Sequence, residues 1–334
     1  MRVLFVLTVM AAACMPVRRE AAVRFDTTEQ AEGTWYKGNT HSHTLESDGD
    51  SPPEVVARWY RDHDYDFLVL SDHNVFTDPT TLSHLVDSTF LLVPGEEVTS
   101  SFEGRPVHVN GLDLPGVVDP RTAHSMVATL QANVDAIRGV DGIPHINHPN
   151  FRWSFSTEEL AQVEGDRLLE IYNGHPLVHN QGGGGYAGLE EVWDALLTGG
   201  KRIYGIAVDD AHHFQGPFAP DRSNPGRGWV VVRAPALEAR ALVDALEAGD
   251  FYASTGVALS DVVVSTDRLE IHIEERGDFR YRTTFFGRNG AVLDESVDNP
   301  AVFHLIEDVG YVRAKVTDSM GYVAWAQPVF VTSN

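Results

Sequence analysis

Strand-like and helix-like runs alternate along the first two thirds of the chain, and this alternation limits the possible folds more than any other feature. The strand-like runs are 35–40, 66–71, 90–93, 106–112, 143–147, 168–172, 203–208 and 229–233. Runs with helical spacing lie between them at 52–62, 120–137, 157–163, 189–197 and 235–248. This order predicts an α/β fold with a parallel sheet or barrel, whose active site lies at the carboxyl ends of the strands.

The pattern changes at about Leu259 to short β-rich runs separated by turn residues such as Gly277-Asp278 and Met320-Gly321. These runs are 262–264, 269–273, 281–286, 302–306, 311–316 and 323–331. They predict a second domain, a small all-β sandwich at 258–334, after an α/β domain at 34–257.

The N-terminus has the pattern of a targeting segment. Arg2 precedes a short apolar run that ends at Cys14, the only cysteine, and this run is too short for the roughly 20 residues of a membrane-spanning helix. It predicts a signal peptide at 1–14 of the lipoprotein type, hence an exported protein anchored to a membrane through lipidated Cys14. Ordinary secretion and a retained N-terminus are the alternatives. Residues 15–33 are predicted to be a linker.

The net charge limits the possible partners. The chain has 48 acidic and 25 basic residues among 334, giving a formal charge of -23. Such a surface repels nucleic acids and anionic lipids, so we expect no nucleic-acid partner and no membrane contact beyond the lipid anchor. A small anionic substrate remains compatible with this charge, because bound cations can reverse the local field.

Residues that typically bind metals recur at the ends of successive predicted strands. His41 and His43 end the first strand and, two apart, point to the same face. Asp72 and His73 leave the second, and we expect Asp72 to orient His73, since metal-binding histidines usually need such a partner. Asp48 lies between His43 and Asp72 in the chain, within Ser47-Asp48-Gly49, a sequence that by itself is typical of a turn.

The later strands continue the series. Strand alternation places Glu96 and Glu97 on opposite faces, so only one of them can face the site. The remaining candidates are His108, His148, Asp210 and His212, whereas His145 is expected to be structural. Clustered imidazoles and carboxylates without a thiolate suit Zn, Mn or Fe, and metal binding gives such groups a reason to be buried together.

This motif order resembles the PHP family, named for polymerase and histidinol phosphatase, over residues 35 to about 255. The matching motifs are His41-x-His43, Ser47-Asp48-Gly49, Ser71-Asp72-His73-Asn74, Gly95-x-Glu97, His108, His148-Pro149 and Asp210-x-His212. A closer resemblance is to the CehA/McbA-type branch of metallohydrolases. Its marks are Ser71-Asp72-His73-Asn74, Glu170-Ile171-Tyr172-Asn173-Gly174, the segment 251–256, and Trp325-Ala326-Gln327-Pro328.

The resemblance implies a distorted seven-stranded (β/α)7 barrel with two or three divalent metal ions. His41, His43, Glu97 and Asp210 would hold the first ion, and Glu97 would bridge to a second one held by His108 and His148. Asp48, His73 and His212 would hold a third. The acid two residues after the glycine, Glu97 rather than Glu96, fits the family spacing. Asp209 and His213 flank the last motif and leave its register open.

The implied function is a metal-dependent hydrolase in which a metal-bridged hydroxide attacks a small phosphate ester. Asp210 would act as a catalytic ligand, and His73 or His212 could protonate the leaving group. Two alternatives stay open. The same site could hydrolyse a carboxylic ester, carbamate or amide, or the chain could be a non-catalytic surface lipoprotein whose metals are structural and whose β-domain binds a glycan or protein.

Three residues are predicted to contact the substrate. Asn173 and His175 follow the sixth strand on the side of the site. Arg152 could hold a phosphate oxygen, as could Arg105, although surface arginines without this role are the alternative. His63 is expected to be exposed. No chemistry is assigned to the remaining histidines, His84, His124, His179, His272 and His304.

Overall fold

The computed structural model describes residues 23–27, 32–305 and 307–333. The predicted signal peptide and most of the predicted linker lie outside these residues. Five helices are described: α1 (Pro53–Asp62), α2 (Met126–Arg138), α3 (Thr157–Leu160), α4 (Leu189–Thr198) and α5 (Ala239–Ala248). Short 3-10 turns lie at Pro79–Leu85 and Arg288–Gly290. Within the described ranges, no helix has the length and apolar character needed to cross a membrane.

Strands dominate the fold. The first nine are β1 (Val23–Phe25), β2 (Thr34–Asn39), β3 (Phe67–Val69), β4 (Leu91–Val93), β5 (Gly95–Phe102), β6 (Arg105–Leu112), β7 (Ile143–Ile146), β8 (Leu168–Asn173) and β9 (Tyr204–Val208). The others are β10 (Trp229–Ala234), β11 (Phe251–Ser254), β12 (Leu259–Ser265), β13 (Arg268–Ile273), β14 (Tyr281–Phe286), β15 (Val292–Ser296), β16 (Ala301–His304), β17 (Tyr311–Asp318) and β18 (Val323–Ser333).

The eight strands expected in the α/β region correspond to β2, β3, β4, β6, β7, β8, β9 and β10. Helix α2 begins later than the expected residue 120, because Ser125 caps it by accepting a hydrogen bond from the Ala128 amide at 3.1 Å. Strand β5 was not expected. It pairs antiparallel with β6 through a turn at Glu103 and Gly104, both with positive φ, as two-residue hairpins require.

The α/β region is therefore a mixed structure, in which antiparallel pairs accompany the predicted parallel strands. Strands β2, β3 and β4 pair in parallel within one sheet, in which β10 joins β2 antiparallel. A second sheet has the order β5-β6-β7-β8-β9, in which only β7, β8 and β9 are parallel. The seven-stranded barrel as such stays a prediction.

Two isolated bridges join these sheets beyond the carboxyl ends of β2 and β3. Ser42 pairs with Ala211, which follows β9, and His73 pairs with Glu97 at the start of β5. The ends of β2, β3 and β9 and the start of β5 are thereby brought to one place. Every one of these segments carries a candidate metal ligand, so the pairing of the strands determines where the site forms.

The C-terminal strands belong to two sheets. Strands β14, β15, β17 and β18 extend the sheet of β10 and β2 by way of β11, while β12, β13 and β16 form a third sheet. Apolar residues of both sheets share one core, including Phe285, Ile271 and Val316. The large sheet thus crosses the predicted boundary at residue 257. Within the predicted linker, β1 pairs with β18.

Candidate metal centre

The structure brings all nine sequence-predicted ligands into one continuous cluster. They lie on or shortly after six strands, β2, β3, β5, β6, β7 and β9, with Asp48 in the loop after β2. These residues are His41, His43, Asp48, His73, Glu97, His108, His148, Asp210 and His212. Most of them are buried, whereas Asp48 has a 55% exposed side chain and marks the open side of the cluster.

The first group of ligand atoms comprises His41 Nε2, His43 Nε2, Glu97 Oε2 and Asp210 Oδ1. The two imidazole nitrogens are 3.1 Å apart. Glu97 Oε2 lies 3.5 Å from His41 and 3.4 Å from His43, and Asp210 Oδ1 lies 3.3 and 3.2 Å from them. All four side chains are almost completely buried.

The second group is built on the other oxygen of the same glutamate. Glu97 Oε1 lies 2.9 Å from His108 Nδ1 and 3.4 Å from His148 Nε2. One carboxylate therefore faces two groups of ligand atoms, which is the arrangement of a bridging ligand. Strand alternation places Glu97 here, whereas Glu96 points away and accepts a hydrogen bond from the Val118 amide at 2.7 Å.

A third group forms around Asp48 at the open side. Asp48 Oδ1 is 3.3 Å from His212 Nε2 and 3.5 Å from His43 Nδ1, and its Oδ2 is 3.6 Å from His73 Nε2. Gly49 is required next to it, because a Cβ atom there would lie 2.6 Å from the His43 carbonyl oxygen. The tight turn Ser47-Asp48-Gly49 thus carries a candidate ligand.

The first group of donors fits a divalent cation. Two ligands about 2.0–2.1 Å from a tetrahedral ion are roughly 3.3 Å apart, and the four atoms of the first group have separations of 3.1–3.5 Å. Glu97 Oε2 is moreover buried, and His73 Nδ1 lies 2.8 Å from it without the geometry of a hydrogen bond. A cation among these four atoms would satisfy this buried carboxylate oxygen.

Burial and charge oppose each other in this cluster. Burial by itself lowers the pKa of His41, but the carboxylates of Asp210, Glu97 and Glu170 outweigh it and raise that pKa well above the ordinary value. Burial raises the pKa of Glu97 and of Asp210, but the surrounding histidines outweigh it and keep both pKa values well below the usual range. The carboxylates are therefore ionised and ready to bind a cation.

Glu170 is a functional residue to which the sequence analysis assigned no role. Its fully buried carboxylate accepts from His41 Nδ1 at 2.7 Å and from His145 Nε2 at 3.0 Å through Oε1. Its Oε2 accepts from the His148 amide at 2.7 Å and from Asn173 at 2.8 Å. Because Glu170 accepts the Nδ1 proton of His41, Nε2 is the atom that faces the cluster, where a bound cation would take the place of its proton.

Asn147 has the same role for the bridging glutamate. Its side-chain NH₂ group donates to Glu97 Oε1 at 2.7 Å and to Asn110 Oδ1 at 2.8 Å. Its side-chain oxygen accepts from the backbone N–H of Asn110 at 3.1 Å. The sequence held a signal for both residues. Each is a polar residue within or directly after an otherwise apolar strand, where burial without a partner would be costly.

Backbone strain accompanies two of the ligands. His148 has φ 23° and Asp210 has φ 49°, in the left-handed region that non-glycine residues rarely adopt. Such conformations persist only where the surroundings enforce them, and they are frequent at functional sites. The Glu170 hydrogen bond to the His148 amide is one contact that holds this strained turn in place.

One detail of the predicted site needs correction. Asp72 has no hydrogen bond with His73; its carboxylate accepts from the Thr44 amide at 2.7 Å and from the Ser47 hydroxyl at 2.6 Å, so it shapes the loop that carries Asp48. His73 Nδ1 instead lies 2.6 Å from the Thr99 hydroxyl and 2.8 Å from Glu97 Oε2. The polar loop after β2 needs the Asp72 carboxylate as an acceptor, because the backbone amides of this loop have no partner in a neighbouring strand.

The register of the last motif, left open by the sequence, is resolved by the structure. Asp210 faces the cluster. Asp209 accepts from the amides of residues 226–228 and from the Tyr60 hydroxyl at 2.8 Å. His213 contacts the Ser223 hydroxyl through Nδ1 at 3.0 Å.

The three predicted substrate residues differ in their surroundings. Asn173 is buried and its amide donates to Glu170 and to Asp210 Oδ2 at 3.1 Å, so in this structure it positions ligands and presents no free donor. His175 lies at the opening, with its ring centroid 5.3 Å from that of His212. Arg152 is exposed beside the centre, 5.4 Å from the Phe151 ring centroid.

Other candidates lie away from the cluster. Arg105 pairs with Glu159 at 2.7 Å, which is the surface role given as its alternative. The exposed His63 ring stacks on Trp59, and its Nδ1 is 2.6 Å from the Trp59 carbonyl oxygen. His145, expected to be structural, contacts Glu170 behind His41.

The fold is similar to those of solved proteins. One is a two-domain protein containing a predicted PHP-like metal-dependent phosphoesterase from Bacteroides vulgatus, with a TM-score of 0.52 and 15% identity, covering 95% of this chain and 99% of that one. A proposed metal-dependent phosphoesterase from Bifidobacterium adolescentis matches 56% of this chain and 92% of its own, with a TM-score of 0.41 and 14% identity. An amidohydrolase from Chromobacterium violaceum with bound sulfate and no metal matches 55% and 93%, with a TM-score of 0.39 and 14% identity.

No protein family matches the chain by its sequence profile, and no curated protein matches its sequence. At 15% identity the Bacteroides protein shows the fold alone, a mixed α/β structure shared over nearly the whole of both chains. Together, this fold and the cluster define a protein with an imidazole and carboxylate centre suited to divalent metals.

Proposed function

We propose that this protein is a metal-dependent phosphoesterase that hydrolyses a small phosphate ester. The observation that carries the proposal is the position of Glu97. Its two oxygens face different groups of imidazole and carboxylate atoms, with contacts of 2.9–3.5 Å to His41, His43, His108 and His148. A single structural ion would need only one such group, whereas a pair of ions suits phosphoryl transfer.

When bound, divalent ions would supply Lewis acidity and lower the pKa of a water molecule. The residues of this chain would do the remaining work. His41, His43 and Asp210 form the buried base of the site and exclude water from it. Glu170 and Asn147 keep His41 and Glu97 in the orientation that binding requires, so that little rearrangement accompanies it.

The open side of the cluster is where a leaving group could receive a proton. His73 Nε2 and His212 Nε2 both face the exposed carboxylate of Asp48, at 3.6 and 3.3 Å. An imidazole that holds a proton at Nε2 there could pass it to the departing alcohol oxygen. The exposed guanidinium of Arg152 could contact a phosphate oxygen from the neighbouring loop.

We also propose that the protein is closer to the CehA/McbA-type branch than to other PHP proteins. Two of the motifs behind this resemblance have contacts that support the site. Asn74 exchanges hydrogen bonds with the main chain of Thr99 at 2.8 and 3.0 Å, beside His73. Glu170 and Asn173 together hold His41 and Asp210.

The cellular setting is a further proposal. We expect an exported lipoprotein attached through Cys14, acting on a small molecule and not on nucleic acid. Labelling with a radioactive fatty acid should depend on Cys14 and disappear in Cys14→Ser.

The function is tested with purified protein loaded separately with Zn, Mn or Fe. We expect two or three ions per chain by mass spectrometry and hydrolysis of 4-nitrophenyl phosphate or bis(4-nitrophenyl) phosphate. Hydrolysis of 4-nitrophenyl acetate alone would replace the proposal by the ester, carbamate or amide hydrolase. Full metal content without turnover of either class would support a binding protein.

A further inference from the structure

A polar cleft of about 540 Å³ opens beside the metal centre. Its walls are the β5–β6 hairpin, the loop after β6 and the loop after β7. Thr99 and His108 lie at its inner end, where the Thr99 hydroxyl is 2.6 Å from His73 Nδ1 and His108 Nδ1 is 2.9 Å from Glu97 Oε1. A group attached to a phosphoryl at the centre can therefore extend into this cleft.

The lining of the cleft consists mainly of hydrogen-bonding side chains. Ser100, Ser101, Thr122 and Arg152 line it, and its apolar side chains are prolines. Among the described residues, no carboxylate and no Phe, Tyr or Trp ring lines it, although the chain has 48 acidic residues and Phe, Trp and Tyr make up 10% of it. This composition differs from that of a pocket for an apolar ligand, which is lined mostly by hydrophobic and aromatic side chains.

Several of these side chains are available to a ligand. Within the described part of the chain, the side chains of Ser101, Thr122 and Arg152 have no hydrogen bond or ion pair. The backbone at Arg152 is in the left-handed region with φ 51°, and Trp153 follows with φ 53°. This strained turn keeps the guanidinium at the cleft and next to Phe151, whose ring centroid is 5.2 Å from that of His148.

We propose that this cleft binds the alcohol part of the substrate, and that the alcohol is non-aromatic and carries several hydroxyl groups, as a sugar or polyol does. The inference rests on the proposed phosphoesterase function. In the reaction, water adds to phosphorus and the bond to the alcohol oxygen breaks. That oxygen takes a proton, and inorganic phosphate and the polyhydroxylated alcohol leave. The hydroxyl groups would exchange hydrogen bonds with Ser101, Thr122 and Arg152.

Glycerol 1-phosphate and propyl phosphate test the proposal, because they differ only in two hydroxyl groups. With metal-loaded protein we expect kcat/KM to be roughly 4–100-fold higher for glycerol 1-phosphate, since each of the two hydroxyl groups can form a hydrogen bond worth roughly a factor of 2–10. Ser101→Ala and Thr122→Val should each reduce this ratio by roughly a factor of 2–10. Thr266 carries an exposed hydroxyl in the turn after β12. As the control, Thr266→Val should leave the ratio unchanged.

A binding measurement separates this inference from the proposed function. Calorimetric titration of the non-hydrolysable phosphonate analogues of both esters, in which a methylene replaces the ester oxygen, into the metal-loaded protein should show the same preference without turnover. Equal affinities, or an unchanged ratio in both cleft variants, would overturn the proposed cleft. A clear binding preference in a protein that hydrolyses neither ester would retain the cleft and refute the phosphoesterase.

Discussion

Replacing Glu170 by glutamine tests whether the buried carboxylate behind His41 prepares the metal centre. The wild-type carboxylate accepts four hydrogen bonds of 2.7–3.0 Å, two on each oxygen. Glutamine keeps the volume but offers one acceptor oxygen, and its NH₂ group must face the donors on the other side. Either the pair from His41 and His145 or the pair from His148 and Asn173 loses its acceptor.

The loss should appear both in metal affinity and in the stability of the metal-free protein. Carboxylate partners of metal-binding histidines typically contribute 10–100-fold to affinity, or about 1.4–2.7 kcal/mol. We therefore expect Glu170→Gln to weaken Zn or Mn binding by a factor of that size in a competition titration with a chelating dye. Two buried donors without partners would also destabilise the metal-free protein by about 1–3 kcal/mol each.

Glu96→Gln provides the matched control. Glu96 is equally buried and is adjacent in sequence to the bridging Glu97, but its side chain faces the Val118 amide and no predicted ligand. The metal affinity of the Glu96→Gln variant should stay within about threefold of the wild-type affinity. Equal affinities for wild type and Glu170→Gln would refute the positioning role, as would an equal loss in both variants.

Three further predictions concern the site and its scaffold. His41→Ala should lose bound metal and turnover together, whereas exposed His63→Ala should keep both; equal losses, by metal analysis and assay, would contradict the ligand assignment. Burial raises the pKa of Glu96 to about 7 from 4.5, so the folded state retains its proton and stability falls as pH rises from about 4.5 to 7. In urea unfolding, the unfolding free energy of Glu96→Gln relative to that of the wild type should therefore rise by about 1–3 kcal/mol between pH 5 and pH 8. A difference that stays constant with pH would contradict this. Asp194→Ala removes the carboxylate that the buried Arg313 guanidinium contacts at 2.6 Å. This change should lower the unfolding free energy by roughly 3–5 kcal/mol. A loss below about 1 kcal/mol would argue against a stabilising role of this contact.

The sequence predicted the positions of most strands in the α/β region well, because these depend on local patterns. Alternation indicated that only one of Glu96 and Glu97 faces the cluster, and the spacing of the resembling family favoured Glu97. The i, i+2 spacing of His41 and His43 predicted both imidazoles on one side. Strand β5 was not predicted, because the local sequence signal for it was limited to the short turn at Glu103 and Gly104. The antiparallel hairpin it forms places His108 opposite Thr99.

The roles of supporting residues were the least accessible to sequence reasoning. Asp72 stands next to His73 in the chain, yet its carboxylate holds Thr44 and Ser47. Asn173 follows a strand end near the site, yet its amide is engaged by Glu170 and Asp210. Adjacency along the chain does not determine the direction of a side chain at a strand end, where the backbone leaves the regular alternation.

The sequence by itself determined the types of donor, their order and their location at strand ends, since strand periodicity and the chemistry of imidazole and carboxylate are local properties. Only the tertiary structure decided that Glu97 faces two groups of ligands, that Glu170 stands behind His41, and that the large sheet continues into the C-terminal region. These features depend on which strands pair and in which register. Pairing is decided by burial shared among residues far apart in the chain, and no local pattern encodes it.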